Sequence, residues 1–381
     1  MTDLLIVGGG IMGLWAAVMA ERAGIDAVLV ERQAIGAGAS GGVLGALMPY
    51  MPDRWDIKKQ YQFEALVSLE REIGSLEAQT GLSTGYRRSG RLIPLPKPHL
   101  RTIALRHEQD ALANWNQGGE RFFWHVLDRP PAGAWSQGEA MGSGLVFDTL
   151  AARVDPRRLL AMLTAFLQRA RHVRIEEGRD VVDLDAKAGK AHFSDGTDIS
   201  FGACILAAGT RSFPFLDALE GEGEASMSSG TAVKGQAALL KAEVDPGWPV
   251  IFMDGLYIVP HDNGLVAVGS TSENSFESPL STDGQLDDLL LRARAVAPML
   301  ADAPVAERWA GLRPKAIGRD PMVGRHPDHD RIFTLTGGFK ISFGLAHRLA
   351  EGVINEISGQ ADPDLPPSFH CRSHMSLLRS S

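Results

Sequence analysis

A two-lobed α/β fold is predicted for this chain by three features of its sequence. The first is the N-terminal stretch MTDLLIVGGGIMGLWAAVMAERAGIDAVLVER, in which an apolar run, a glycine triplet, a helical pattern and a second apolar run succeed one another. The second is a buried strand, Ala203 to Ala207, that stops at the small residues Ala208-Gly209-Thr210. The third is the closing strand, glycine turn and long helix of RIFTLTGGFKISFGLAHRLAEGVINEISG. A length of 381 residues is large for one core and comfortable for two lobes.

Leu4 to Val7 read as the first strand, Gly8, Gly9 and Gly10 as a tight turn, and Ile11 to Ala23 as a helix ended by Gly24; Ala27 to Val30 form the next strand, which finishes at Glu31. The pattern Gly8-x-Gly10-x-x-Gly13 therefore sits between strand and helix with an acid one strand later, the setting for dinucleotide binding. Helix N-terminal amides cradle a pyrophosphate in that position, and Glu31 accepts from ribose hydroxyls. These residues leave open which dinucleotide is held, and a purely structural glycine turn is the alternative.

The segment AIGAGASGGVLGALMPYMPDRWD is Gly/Ala-rich and not a regular strand, which suggests backbone passing close to a flat or phosphorylated group, with a flexible loop as the alternative. Lys59 to Gln79 carry helical spacing, with Phe63, Leu66, Leu69, Ile73 and Leu76 on one face. YRRSGRLIPL reads as a strand entering the second lobe, Pro98 to Gly118 as helical, and Leu145 to Thr149 as a strand. In ARVDPRRLLAMLTAFLQRA, Asp155 caps a helix whose first position is Pro156. Short alternating strands come next, with a hairpin signal at Asp195-Gly196, and then a block of strands containing AVKGQAALL and GLYIVPHDNGLVAVGST, with a helix near Leu286 to Arg294. The tail from Asp362 is Pro- and Ser-rich and is expected to fray.

A formal charge of -8 and a pI near 5.8 offer no basic field for nucleic acid. Cys204 and Cys371 are too few and too far apart for a disulfide framework or a metal site, so a reducing cytoplasm is the expected setting and no metal is expected. No apolar run approaches the roughly 20 residues of a membrane span. The N-terminus, lacking a basic region, is expected to be the first strand of the fold and not a signal peptide.

In this order, GGGIMG with Glu31, GAGASGG, YRRSGRL, RVDPRRLL, ILAAGTRS, VKGQ, YIVPHDNGLVAVGST, GLRPKAIGRDPMVG and GGFKISFG resemble the glycine oxidase and sarcosine oxidase branch of the D-amino-acid oxidase superfamily of FAD-dependent enzymes. The likeness covers nearly the whole chain. It implies a glutathione-reductase-like FAD-binding Rossmann domain made of residues 1–84, 148–218 and 312–370. An α+β substrate domain built on a large mixed sheet would be inserted as 85–147 and 219–311, with 371–381 as a tail. Gly8, Gly10 and Gly13, with Ile11 and Met12 between them, would meet the pyrophosphate, and Glu31, with Arg32 after it, the adenosine ribose. Ser40 and Gly41 would lie by the pyrophosphate or flavin end, Val181 would offer backbone to adenine, and Ala208 and Gly209 would pass beside the cofactor. Gly311 and Arg313, and the run Gly338, Phe339, Lys340 and Ile341, would approach the flavin.

Among catalytic candidates, the resemblance gives Arg313 the substrate carboxylate, for which a guanidinium is suited, and gives Lys340 a second grip on it. Structural alternatives are an arginine holding the Pro314 turn and a lysine bonding only cofactor or solvent. Tyr257 is placed to line the pocket or to be a core tyrosine, and Met48 and Tyr50 are expected to face the flavin ring. Pocket size is left to loops around Trp55, Trp248 and Phe252, and His261, His347 and Asp320 receive no catalytic role. Ala267 stands where sarcosine oxidases carry a lysine that promotes reaction with oxygen, a lysine that glycine oxidases also do without, and the GLRPK region lacks the cysteine that tethers the sarcosine oxidase flavin, so FAD is expected to be non-covalent.

The activity implied by the resemblance is oxidation of a small amino acid or N-substituted amino acid. Hydride passes from the alpha carbon to flavin N5, the imino acid is hydrolysed, and O2 reoxidises the flavin with release of H2O2. An amino-acid, opine or hydroxyproline dehydrogenase passing electrons to another acceptor, as a homo-oligomer or in a heteromeric complex, is the alternative. A cofactor-holding subunit with an inactive pocket and an NAD-dependent dehydrogenase are disfavoured by Arg313 with Lys340 and by the later flavin-type segments, respectively.

Overall fold

The computed structural model describes residues 1–131, 134–135, 139–221, 227–360 and 362–380. Thr2–Val7 forms strand β1, Ile11–Ala23 helix α1 and Ala27–Glu31 strand β2, with β1 and β2 parallel and Val7 opposite Val30. Helix α1 stops at Gly24, whose left-handed conformation (φ 68°) turns its N–H back onto the carbonyls of Ala20 and Glu21. Val173–Glu177 lies parallel outside β2; on the other side β1 pairs with Asp198–Leu206, and that strand with Ile332–Thr336, again in parallel. Alternation along these strands feeds two cores. Leu4, Ile6, Leu29 and Ile205 face α1 and its neighbouring helices, while Leu5, Val7, Val28, Cys204 and Leu206 face the opposite layer.

On the first face, α1 packs against Ser342–Ile357 and Pro156–Leu167, and Ile57–Thr80 touches both of those helices. Enclosure on several sides explains why residues 11–20 of α1 are all buried although the helix has no polar face. Pro156–Leu167 begins as the sequence demands: the Asp155 carboxylate accepts from the N–H groups of Arg157 and Arg158, and Pro156 fills the first position.

A second eight-stranded sheet carries, in spatial order, Val305–Ala316, Gly230–Lys241, Leu265–Gly269, Leu256–His261, Val250–Met253, Arg91–Pro94, Leu145–Asp148 and Trp124–Leu127. Only the Val250–Met253 and Arg91–Pro94 pair is parallel, so the sheet is mixed. Gly284–Val296 seals one face through Leu286, Leu289, Leu290 and Ala293. Val305–Ala316 belongs to this sheet along its whole length and thus runs across the expected boundary at 312.

Two expectations change. The helix from Pro98 ends at Asn114, short of Gly118, because Trp115 is drawn into the core, its ring centroid 6.0 Å from that of Trp124. The tail does not fray: Cys371–Arg379 is a helix whose Cys371, Met375 and Leu378 join the core beneath the first sheet, with His374 buried beside them. Apolar spacing of four and three residues gives that short segment one face to bury. Both cysteines are free and buried, and among the described residues no helix is long and apolar enough to cross a membrane.

Candidate active site

The glycine turn at the end of β1 is shaped by contacts that tolerate no side chain. Gly8 has φ 112°, and a Cβ there would lie 2.5 Å from the Ala207 carbonyl oxygen of the neighbouring strand. Gly13, one helical turn along, lies so close to the Gly8 carbonyl that a methyl group would overlap it. The turn is tied down by polar side chains. Glu31 accepts from Gly9 N–H through Oε2 at 2.8 Å and from Gln33 N–H through Oε1 at 2.9 Å, and Ser40 Oγ accepts from Ile11 N–H at 3.0 Å. A carboxylate receiving one N–H on each oxygen keeps further lone pairs for hydroxyl donors.

From this turn a cavity of about 620 Å³, ordinary for a ligand site, reaches the second sheet. Gly8, Gly10, Ile11, Met12, Glu31, Arg32, Ser40, Val181, Ala208 and Gly209 line it on the side of the first sheet. Met48, Tyr50, Tyr257, Gly311, Arg313, Gly338, Phe339, Lys340 and Ile341 line the rest. Bare backbone over a helix N-terminus, with a carboxylate at the end of β2, fits a dinucleotide. Gly13 and Gly41 do not line the cavity. Their α-carbons press on the carbonyls of Gly8 and Gly36, so both shape the turn from behind. Of the aromatic residues expected to bound the pocket, Phe252 lines it, whereas Trp55 packs on Phe63 and Trp248 on Trp135.

Arg313 lies on Val305–Ala316, across from Gly230–Lys241. Its guanidinium covers Gly235 of the facing strand so closely that a Cβ there would collide with it, and Nη1 donates to the Thr271 carbonyl at 3.1 Å. Burial pushes Arg313 down to about 10, with Tyr257 and Glu273 opposing the shift, so it stays protonated at neutral pH. Lys340, whose side chain opens on the cavity, is held below the usual lysine range first by partial burial and then by the Arg313 charge. Among the described residues no carboxylate forms an ion pair with either cation. Burial raises Tyr257 above the ordinary tyrosine range, with Arg91 and Arg313 pulling the other way; its ring centroid stands 4.8 Å from that of Phe252. Tyr50 is pushed up to about 12 by burial, so both phenols stay neutral.

Neither His261 nor His347 lines the cavity. His347 is buried against Trp15, its Nε2 2.9 Å from Ser68 Oγ, and burial pushes it down to about 3. His261 Nε2 donates to the Val43 carbonyl at 3.1 Å. Asp320 pairs with Lys58 at 3.3 Å. Ala267 is buried with Val250 and Val259 in a small cluster on which Leu44, Met48 and Tyr257 pack.

Among the lining residues that the sequence did not single out are Trp309 and Arg91. The Trp309 indole lies between Gly42 and Gly311, filling the space a side chain would need at either glycine. Arg91 is 2% exposed and donates through Nε to Asp148 Oδ2 at 2.5 Å, while its Nη2 has no hydrogen-bond partner. An arginine opening a strand suggests a surface position, and only the pairing of Arg91 with Asp148 across two strands, 57 residues apart, reveals a buried charge pair.

The FAD dependent oxidoreductase (DAO) family matches residues 3–352. Glycine oxidase of Pseudomonas aeruginosa is 27% identical over 377 residues, spanning 96% of this chain and 97% of its own. The crystal structure of glycine oxidase from Geobacillus kaustophilus superposes with a TM-score of 0.84 at 20% identity, covering 97% of this chain and 98% of that one. Iminodiacetate oxidase from Chelativorans sp. BNC1 superposes with a TM-score of 0.78 at 23% identity, covering 96% and 97%. With the glycine turn, the cavity and a match along most of its length, the chain belongs to the DAO family of FAD-dependent oxidoreductases.

Proposed function

We propose that the protein oxidises a small amino acid or N-substituted amino acid at its alpha carbon, holds FAD without a covalent bond, and uses O2 as final acceptor with release of H2O2. The observation that carries this reading is a dinucleotide cavity whose far end presents Arg313 and Lys340 with no pairing carboxylate. In this reading 1–84, 148–218 and 312–370 form the cofactor domain and 85–147 with 219–311 the substrate domain, with the strand Val305–Ala316 of the second sheet running across the boundary at 312 beside the site. The absence of a cysteine from the GLRPK segment supports the non-covalent cofactor, and the free buried cysteines suit a cytoplasmic setting.

When bound, FAD supplies the hydride acceptor. Arg313 grips the substrate carboxylate, and its bond to the Thr271 carbonyl fixes the plane in which that grip is made. Lys340 adds charge without planar geometry and favours the anionic form of the substrate. The two cations also lower the pKa of the substrate amine, so the free amine, which alone can lose a hydride from its carbon, binds without a general base. Met48, Tyr50 and Tyr257 exclude water; the phenols of the two tyrosines, neutral at pH 7, donate hydrogen bonds and carry no charge. Released imino acid is hydrolysed by water to an oxo acid and ammonia or an amine.

A dehydrogenase passing electrons to another acceptor is favoured by one observation: Ala267 is sealed in an apolar cluster, so no cation occupies the position of the oxygen-promoting lysine in sarcosine oxidases. Anaerobic titration of the yellow protein with glycine, sarcosine, D- and L-amino acids, proline derivatives and opines tests both readings. Bleaching and then rapid recovery in air with peroxide supports the oxidase; recovery only with an artificial acceptor supports the dehydrogenase. No bleaching by any of them overturns the proposal.

A further inference from the structure

The substrate end of the cavity holds a third cation besides Arg313 and Lys340. Arg91 begins the Arg91–Pro94 strand, between Val250–Met253 and Leu145–Asp148. Its guanidinium carbon lies 5.8 Å from the ring centroids of both Phe252 and Trp124, and Phe252 stands beside Tyr257. Asp148, fully buried behind it, takes Nε with one oxygen and Ala151 N–H with the other, so that carboxylate is committed to the protein. Nη1 makes a 3.4 Å contact to the Pro49 carbonyl, and Nη2 makes none.

A guanidinium has five donors, and an interior normally matches each buried one with an acceptor. Here the unmatched nitrogen belongs to a residue that lines the cavity. Nothing on the cavity wall matches it: among the described lining residues the only acids are Glu31 and Asp180, on the side of the first sheet. We propose that the Arg91 guanidinium, by turning its buried and unpartnered Nη2 toward the cavity, binds a second carboxylate, so that the preferred substrates are amino acids with two carboxylates, one held by Arg313 and one by Arg91. The proposal rests on the amino-acid oxidation argued above. Its chemistry has two sources, a carboxylate on the nitrogen substituent, as in iminodiacetate, or on the side chain, as in aspartate and glutamate.

The holoenzyme tests this in two steps. Perturbation of the flavin absorbance by non-reacting acids gives dissociation constants for succinate and butyrate. Succinate is expected to bind at least tenfold more tightly, and R91K, which keeps a charge beside Asp148 but loses the planar second donor, is expected to remove most of that ratio. Should R91K not fold, the double variant R91M/D148N, which leaves no buried charge unpaired, serves in its place. Equal binding of the two acids by the native enzyme, or a ratio unchanged in the variant, overturns the proposal. Anaerobic reduction then compares iminodiacetate, D- and L-aspartate and D- and L-glutamate with glycine and sarcosine. Faster reduction by iminodiacetate places the second carboxylate on the nitrogen side, and by aspartate or glutamate on the side chain; faster reduction by glycine or sarcosine than by every diacid overturns the proposal while leaving amino-acid oxidation intact. If no amine reduces the flavin, the proposed oxidation fails, and the succinate ratio still decides the role of Arg91.

Discussion

The two ends of the cavity are built from different materials. At the β1 end the wall is main chain: Gly8, Gly10, Ala208 and Gly209 bring backbone to the surface, and Glu31 and Ser40 spend their oxygens on the turn itself. At the second sheet the wall is made of side chains: Arg91, Arg313, Lys340, Tyr257 and Phe252 project from strands and a loop that are far apart in sequence. At Gly8 the backbone wall leaves no room for a side chain, whereas the side-chain wall depends on its charges and hydrogen bonds. Substitutions should therefore affect the first end through cofactor retention and the second through substrate kinetics.

The sharpest break between them is expected from G13A. The new methyl group would overlap the Gly8 carbonyl, which is main chain and no flexible side chain that could yield. The variant should purify colourless or nearly so, which the ratio of flavin to protein absorbance measures directly; retention of full colour would mean that the helix does not press on the turn. R313M is the converse. It should keep its colour and lose about 2–5 kcal/mol of carboxylate binding, roughly 30-fold to several thousandfold in kcat/KM, read from anaerobic flavin reduction.

Two weaker effects sharpen the contrast through pH. The folded pKa of Lys340 lies below its unfolded value, so its charge is present at neutral pH and is lost as pH rises through that lowered value. Binding of a carboxylate inhibitor should therefore weaken on the alkaline side as both Lys340 and Arg313, itself pushed down to about 10, lose their charge, and K340M should leave only the part due to Arg313. His347, buried against Trp15 under the first sheet, should show the opposite dependence on acid. Its folded pKa of about 3 lies below the ordinary 6.5, so the unfolded chain takes up the proton first. Stability should be unaffected by this group above pH 6.5 and should fall with pH between 6.5 and about 3, by up to about 1.4 kcal/mol per pH unit. H347Q should flatten that part of the profile in urea titrations. The smallest effect is expected from D155A, which removes a helix cap and should cost about 1 kcal/mol in the same titration with colour unchanged.

The same contrast in materials decides what could be read from the sequence. The glycine turn was legible because its causes are local: strand, Gly8-x-Gly10-x-x-Gly13, helix and Glu31 fall within one short stretch, and Gly24 marks the helix end by the conformation it adopts. Asp155 and Pro156 were legible for the same reason. Arg91 was not, because its burial depends on Asp148, which a strand pairing brings alongside from 57 residues away. Nor was Trp309, whose position between Gly42 and Gly311 is created by the meeting of the two lobes. The helix at Cys371–Arg379 was hidden by composition: Ser and Pro outweighed three correctly spaced apolar residues that find a partner only under the finished sheet.

Gly235 and Arg313 amount to a single evolutionary character. The guanidinium rests on a stretch of main chain that exists as open floor only because residue 235 lacks a side chain, and it reaches there diagonally, since Arg313 is paired with Val233 and Gly235 with Gly311 across the two strands. A lineage drifting toward amines without a carboxylate would gain little by changing either one first. Replacing Arg313 alone leaves an empty slot over bare backbone, and enlarging Gly235 alone ejects a charge that is still in use. Directed evolution of this pocket toward uncharged amines should accordingly find its first productive variants only in libraries that randomise both codons together.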